Sequence, residues 1–404
     1  MCLSILTTLC ALSSPASPQE DEASRVAPDL SAEAARGWDE VAAWLTAEME
    51  TQGVVGGSLY LTHRGRTVRH LHHGMADLEE ARPVDADTIF HWGSITKTLT
   101  AVGLLQLRDR DLLTLDDPIV RYLPELRGVH NPYAPMEEIT LRHLLSHTGG
   151  FRAATWPWGG REDWHPHEPT RWEQLVAMIP YTRIHAPPGG GFGYSNLGIV
   201  FLAQVVEQLT GDDIEVYLEK NVFRPLDMRR SYFDRTPYHL LHHRSNNYFV
   251  EKGAPRPNGL DFDTGITASN SGLNAPLPDM VRWLEFLLGH GPGAEGWPDA
   301  PHGVLARASL EEMWRPVAPV NKEPGKEEWM GLSFFLLDRD GHRYVGHLGS
   351  QQGFVAYFYI DPERDAGFIG VFNTVGSGGR NGPDTRSLRL EVSERLIRDV
   401  LARL

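Results

Sequence analysis

YVGHLGSQQGFVAYFYIDPERDAGFIGVF, residues 344–372, contains three runs rich in aromatic and β-branched residues: Tyr344 to Leu348, Phe354 to Ile360 and Phe368 to Phe372. Runs of this length and composition read as strands, and Asp361-Pro362-Glu363 supplies turn chemistry between the last two. Leu332 to Leu337 is a fourth candidate, set off from Tyr344 by an expected turn at Asp338-Arg339-Asp340-Gly341. Strands joined by such short connections pair antiparallel. A closing helix follows, with Leu388, Val392, Leu396, Val400 and Leu404 on one stripe and Leu390, Ile397 and Leu401 widening it. Its apolar face needs a sheet to cover.

The start of the chain mirrors this end. Trp38, Val41, Ala42, Leu45 and Met49 recur at helical spacing within Ala32 to Met49. Gly57 to Leu61 and Thr67 to Leu71 then read as a hairpin around His63-Arg64-Gly65. From Ser94 to Leu288 the patterns are mainly helical, as in Leu99 to Leu107, Thr140 to Ser146, Leu197 to Leu209 and Pro278 to Leu288, with long Pro- and Gly-rich connections. The expected fold is α+β of sandwich type. Both termini build one antiparallel sheet flanked by the terminal helices, a helical lobe of about residues 94–320 is inserted, and the active site lies between the lobes. Residues 31–404 form the folded domain.

The 404 residues are 41% hydrophobic and 23% charged, within the range of soluble globular chains. A formal net charge of -15 without a basic stripe excludes nucleic acid as a partner. Cys2 and Cys10 are the only cysteines, so the folded part has no disulfide, zinc knuckle or cysteine nucleophile. Residues 1–17 form a signal-peptide candidate, with an apolar core from Leu3 to Leu12 and small residues at Ser13-Ser14-Pro15-Ala16-Ser17. No Lys or Arg precedes Arg25, so a disordered start or a misassigned start codon is the competing reading. The expectation is a secreted or periplasmic protein, with a cytoplasmic one as the alternative. Residues 18–30 are a polar, acidic linker, and no later stretch is apolar enough for a transmembrane helix.

Three segments carry chemistry. Ser94-Ile95-Thr96-Lys97 opens an expected helix after Gly93, and residues three apart share a helix face, so the Lys97 amine can reach the Ser94 hydroxyl. The helix start adds free N–H groups and a positive dipole end that favour an oxyanion. On its own this tetrapeptide is equally a helix start with Ser94 as N-cap and Lys97 in solvent. The second segment, Pro187-Pro188-Gly189-Gly190-Gly191-Phe192-Gly193-Tyr194-Ser195-Asn196, is a Gly-rich loop entering a helix, which Ser195 or Asn196 could simply cap. The third, Gly346-His347-Leu348-Gly349-Ser350, ends a strand where Gly349 allows substrate close to backbone; otherwise it is a strand end with a satisfied histidine.

In this order and at these separations, the three segments resemble the signature of the serine β-lactamase and penicillin-binding superfamily. They are similar to the branch of class C β-lactamases, D-alanyl-D-alanine carboxypeptidases, D-aminopeptidases and related esterases, marked by Tyr-x-Asn at Tyr194-Ser195-Asn196. Further similar text is Gly74-Met75-Ala76-Asp77, Leu115-Asp116-Asp117-Pro118, Leu144-Leu145-Ser146-His147-Thr148-Gly149-Gly150-Phe151 and Pro225-Leu226-Asp227-Met228. The resemblance covers roughly residues 35–404. It implies that Ser94 attacks a carbonyl and is acylated, that Lys97 and Tyr194 share the proton work, and that Asn196 helps hold Lys97 and substrate. The oxyanion hole would be the backbone N–H groups of Ser94 and Ser350, with Gly349 beside it. His347 departs from the lysine of class C β-lactamases. An ordinary histidine is largely neutral at pH 7, which shifts the expected substrate from β-lactams toward esters and D-amino-acid amides. The implied partner is a small-molecule or peptide-like substrate, and no cofactor or metal is required.

Other readings compete. Gly193-Tyr194-Ser195-Asn196-Leu197-Gly198 nearly spells the Gly-x-Ser-x-Gly elbow of α/β-hydrolases, but Leu197 stands where glycine is needed. Asp163, His165, His167 and Glu168 suggest a metal site but lack a second ligand cluster at recognisable spacing. Gly376-Ser377-Gly378-Gly379-Arg380 lacks the Lys-Ser/Thr of a phosphate loop. A non-catalytic scaffold that keeps the fold is the alternative outside enzymology. Oligomeric state has no sequence signature.

Overall fold

The computed structural model describes residues 30–155, 169–251, 253–259, 263–292, 303–376 and 383–404. The leader, the linker up to residue 29, the possible metal loop at residues 163–168 and residues 377–380 lie outside them.

Helix α1 (Ala32–Gln52) starts at Ser31, whose Oγ accepts the Ala34 N–H, and ends at Gly53 in the left-handed region. The hairpin β1 (Gly56–His63) and β2 (Arg66–Asp77) follows, then β3 (Arg82–Pro83) and β4 (Ile89–His91). The inserted segment carries α2 (Thr96–Asp109), α3 (Leu141–Leu145), α4 (Trp172–Met178), α5 (Asn196–Thr210) and α6 (Ile214–Leu218). It continues through β5 (Tyr232–Phe233), β6 (Tyr248–Glu251), β7 (Ala254–Pro257), α7 (Ala268–Ser271), β8 (Leu273–Pro276), α8 (Leu277–Leu288) and α9 (Arg307–Met313). The chain then returns as β9 (Ala318–Asn321), β10 (Glu328–Met330), β11 (Phe335–Arg339), β12 (His342–Gln351), β13 (Phe354–Asp361) and β14 (Ala366–Phe372), and closes with β15 (Thr374–Gly376) and α10 (Thr385–Asp399).

The main sheet has nine strands in the order β3-β2-β1-β14-β13-β12-β11-β10-β9, so the first hairpin pairs directly with the last long strand. Every pairing in it is antiparallel. Val355, Tyr357 and Tyr359 of β13 pack on α1 and α10 with Trp38, Leu45, Val392 and Leu396. Ala356, Phe358 and Ile360 face the other way into the core of the helical segment, with Trp283 and Leu284 of α8. Both faces of β13 are buried, which is why this stretch reads as an unbroken apolar run rather than an alternating one. The expected α+β sandwich, with its sheet built from both ends of the chain, is the observed architecture.

Local expectations shift at several points. Gly331 donates to the Phe334 carbonyl and Ser333 takes a φ of 61°, so a tight turn occupies the start of the expected strand Leu332 to Leu337 and β11 begins at Phe335. Asp338 and Arg339, expected in a turn, belong to β11, where they pair with Arg343 and His342 of β12, and Arg339 also reaches Glu394 of α10 at 2.8 Å. Asp340 and Gly341, with φ of 50° and 81°, make the two-residue hairpin turn alone. The closing helix stops at Asp399 and continues as a 3-10 turn from Leu401 to Arg403. The inserted segment is not purely helical, since β4, β8 and β5 form one small sheet and β15, β6 and β7 another. No described helix is long and apolar enough to cross a membrane.

Candidate active site

The segment before α2 is held from two sides. β4 pairs with β8, the Trp92 N–H donates to Leu273 O at 2.9 Å, and the Trp92 indole donates to Ala275 O at 2.9 Å. Gly93 then takes a φ of 52°, a conformation glycine adopts without strain, and turns the chain into a 3-10 turn over Gly93–Ile95. Ser94 therefore sits in a tight turn ahead of α2 rather than in its first α-helical residues. Lys97, one turn on, is fully buried instead of solvated. Its Nζ lies 3.0 Å from Ser94 Oγ and 2.8 Å from the carbonyl of Asn270 in α7. Burial holds the Lys97 pKa well below the ordinary lysine value. A neutral amine there can donate to Asn270 O and accept from the Ser94 hydroxyl.

Tyr194 is bracketed by His147. The His147 carbonyl accepts the Gly193 N–H at 2.8 Å, its Nδ1 accepts the Ser195 N–H at 3.3 Å, and its ring lies 4.5 Å from the Tyr194 ring. His147 reaches this position with a φ of 54°, unusual for a residue with a Cβ. Burial raises the Tyr194 pKa, while a hydrogen bond with Ser94 and the charge of Arg389 pull against that shift. Lys97 Nζ lies 5.1 Å from the Tyr194 ring centroid. Ser195 turns away and caps α5, accepting the Gly198 N–H at 3.0 Å and donating to Arg152 O at 2.7 Å. Asn196 does not hold Lys97, as the resemblance implied: Lys97 takes the Asn270 carbonyl instead, and Asn196 Oδ1 is buried without a partner.

β12 forms the opposite wall. Because β11 pairs no further along β12 than Gly346, the strand from His347 onward has an open edge beside Ser94. A Cβ on Gly349 would lie 2.1 Å from Trp92 O, and one on Gly93 would lie 3.1 Å from Ser350 N. Glycine at both positions is what lets the third segment approach the turn that holds Ser94. His347 is buried, with Nδ1 2.7 Å from Leu348 O. A carbonyl can only accept, so Nδ1 carries the proton and Nε2 presents a bare lone pair with no protein partner. Burial pushes its pKa down to about 3, so the ring is neutral over the physiological range.

Two arginines of α10 complete this wall: Arg386 Nε lies 3.3 Å from Ser350 Oγ, and Arg389 Nη1 lies 2.6 Å from Gly349 O. Sequence reasoning missed both, along with Asn270 and the bracketing by His147. Arg389 did leave a trace, since it occupies a core spacing, three residues before Val392 and seven before Leu396, on an otherwise apolar stripe. Asn270 acts through its backbone carbonyl, which no side-chain pattern encodes. Among the described residues no group of three or more His, Cys, Asp or Glu is placed to hold a metal.

The chain is 27% identical over 325 residues to "Penicillin-binding protein 4*" of Bacillus subtilis (strain 168), covering 76% of this chain and 66% of that one. It is 21% identical over 326 residues to "Protein flp" of Staphylococcus aureus (strain MW2), covering 81% and 61%. The chain thus spans about two thirds or less of the length of these relatives. Among solved structures, the octameric penicillin-binding protein homologue from Pyrococcus abyssi superposes with a TM-score of 0.72 at 24% identity, over 90% of this chain and 79% of that one. A class C β-lactamase from Rhodobacter sphaeroides superposes with a TM-score of 0.68 at 21% identity, over 91% and 99%. These two likenesses establish the fold. The family model described as Beta-lactamase matches residues 41–393, most of the chain and all three motif segments, and the protein belongs to the β-lactamase family.

Proposed function

We propose that the protein is a serine hydrolase that cleaves an ester or peptide-like amide through an acyl-enzyme on Ser94. The observation that carries this reading is the 3.0 Å contact between Ser94 Oγ and the buried Lys97 amine, beside Tyr194. Lys97, neutral because burial disfavours its charge, takes the Ser94 proton as Oγ attacks the substrate carbonyl. The carbonyl oxygen becomes an oxyanion facing the backbone N–H groups of Ser94 and Ser350. Collapse breaks the bond to the leaving group, which departs with a proton passed through Tyr194, leaving an ester on Ser94. Water adds to that ester and gives up a proton to the same pair, and collapse breaks the bond to Oγ, which takes that proton back as the acid and the free Ser94 hydroxyl are released.

Neutral His347 offers no fixed charge for a substrate carboxylate, which favours uncharged esters and amides. Arg386 supports a second reading. Its guanidinium, 3.3 Å from Ser350 Oγ, is a permanent cation on the same wall and suits an anionic substrate such as a β-lactam or a D-alanyl peptide. Wild type and Ser94→Ala compared on p-nitrophenyl esters, nitrocefin and D-alanyl peptides separate these readings. Turnover of one class, lost in Ser94→Ala, assigns the substrate; no Ser94-dependent turnover of any class leaves the scaffold reading.

A further inference from the structure

The cation behind β12 has no evident structural purpose. Arg389 is half-buried, its Nη1 donates to Gly349 O, and its Nε is shielded from solvent without a partner. Among the described residues no carboxylate pairs with it, and the titratable side chains nearest in effect are Tyr359, Arg386 and Tyr194. Shielding part of an unpaired guanidinium from water weakens a fold, and Arg386 one turn away adds like-charge repulsion. The helix does not need the contact as a tether, since Leu388, Val392, Leu396 and Ile397 already bury its face on the sheet.

The carbonyl that Arg389 holds belongs to the peptide group that also carries the Ser350 N–H. In a trans peptide these two groups point in opposite directions. Gly349 O faces Arg389, so the Ser350 N–H faces away, toward the turn where a Cβ on Gly93 would lie 3.1 Å from Ser350 N. A hydrogen bond from a cation is roughly twice as strong as one between neutral groups, and hydrogen bonds in series polarise one another. The series here runs from guanidinium to carbonyl, through the peptide, to the N–H and on to the oxygen that becomes negative on the substrate.

We propose that Arg389 is a positioning residue for the oxyanion hole: it fixes the Gly349–Ser350 peptide plane and, through its unpaired charge, strengthens Ser350 N–H as a donor to the oxyanion. This deepens, and rests on, the acyl-serine reading. The assignment explains why a half-buried arginine stands beside an apolar stripe without a carboxylate partner. Its effect belongs to the transition state, because an uncharged ester gains full negative charge on that oxygen only on the way to the tetrahedral intermediate.

The test uses the full chain as wild type, Arg389→Met and Arg389→Lys, with p-nitrophenyl acetate as an uncharged substrate. Fluorophosphonate labelling of wild type at Ser94 comes first. Absence of a label overturns the acyl-serine reading and this proposal with it, whereas a labelled wild type isolates the question of Arg389. Arg389→Met should then lower kcat roughly 10- to 100-fold, with KM within about twofold and a Tm equal to or above that of wild type. Arg389→Lys, which keeps the charge but not the planar fork, should fall between the two. Wild-type kcat in either variant overturns the proposal. So does a loss of activity that tracks a lowered Tm and a raised KM, the pattern of a structural tether. Should Arg389→Met fail to fold, the kcat, KM and Tm of Arg389→Lys decide alone by the same criteria.

Discussion

Gly349→Ala tests how the site is assembled. The added Cβ would lie 2.1 Å from Trp92 O, whereas ordinary contacts of this kind begin near 3.0 to 3.4 Å, so β12 and the Ser94 turn must separate by about 1 Å. Trp92 cannot yield easily, because its N–H and indole are both bonded to β8 and its side chain is fully buried. Displacement therefore falls on the Gly349–Ser350 peptide, the proposed oxyanion donor. Loss of one such donor costs about 10²–10³ in kcat, equivalent to ~3–4 kcal/mol of transition-state stabilisation. Overpacking adds ~1–3 kcal/mol of folding destabilisation. The expected outcome is a folded enzyme with a Tm lower by a few degrees, near-normal KM for a small p-nitrophenyl ester, and kcat at least roughly 100-fold down. Wild-type kcat in a folded Gly349→Ala protein would refute the claim that close approach of β12 to the Trp92-Gly93-Ser94 turn builds the site.

Lys97→Met should abolish acylation yet raise Tm at pH 7, because a lysine whose folded pKa is depressed binds more protons unfolded than folded. Its contribution to stability is full above the ordinary lysine value of 10.5 and is lost as pH falls toward the folded value, so thermal melts across pH 6–10 should show a shallower slope in the variant. His347→Lys places a charged donor where a neutral acceptor now stands, and should raise kcat/KM for nitrocefin relative to an uncharged ester; an unchanged ratio contradicts the assigned role of His347 in substrate choice. His147→Ala removes the acceptor of the Ser195 N–H and the ring against Tyr194, and should lower kcat on every active substrate by about tenfold or more. Equal kcat in that variant would show that Tyr194 is held by the Gly-rich loop alone.

The architecture was legible where side chains alone decide it. The aromatic run of β13, the terminal helix stripes and the first hairpin each state which faces are apolar, and burying those faces leaves one arrangement of sheet between helices. The Ser94 and Lys97 spacing and the loop before Tyr194 were legible for a similar local reason. What sequence did not disclose depends on backbone and on long-range closure. The Asn270 carbonyl reaches Lys97 across 173 positions of sequence, and Gly331 to Phe334 turn where an apolar run suggested a strand. Asn196 was assigned a partner by resemblance, and the fold gave that partner to a backbone carbonyl instead. Arg389 was visible as a charge on an apolar stripe, but its meaning depended on which peptide it would touch.

The most direct measurement is intact-protein and peptide mass spectrometry after incubation with a fluorophosphonate and, separately, with a fluorescent penicillin. The account predicts one adduct on the peptide carrying Ser94, absent in Ser94→Ala and strongly slowed in Lys97→Met. No fluorophosphonate adduct on Ser94, or labelling that survives Ser94→Ala, would contradict it.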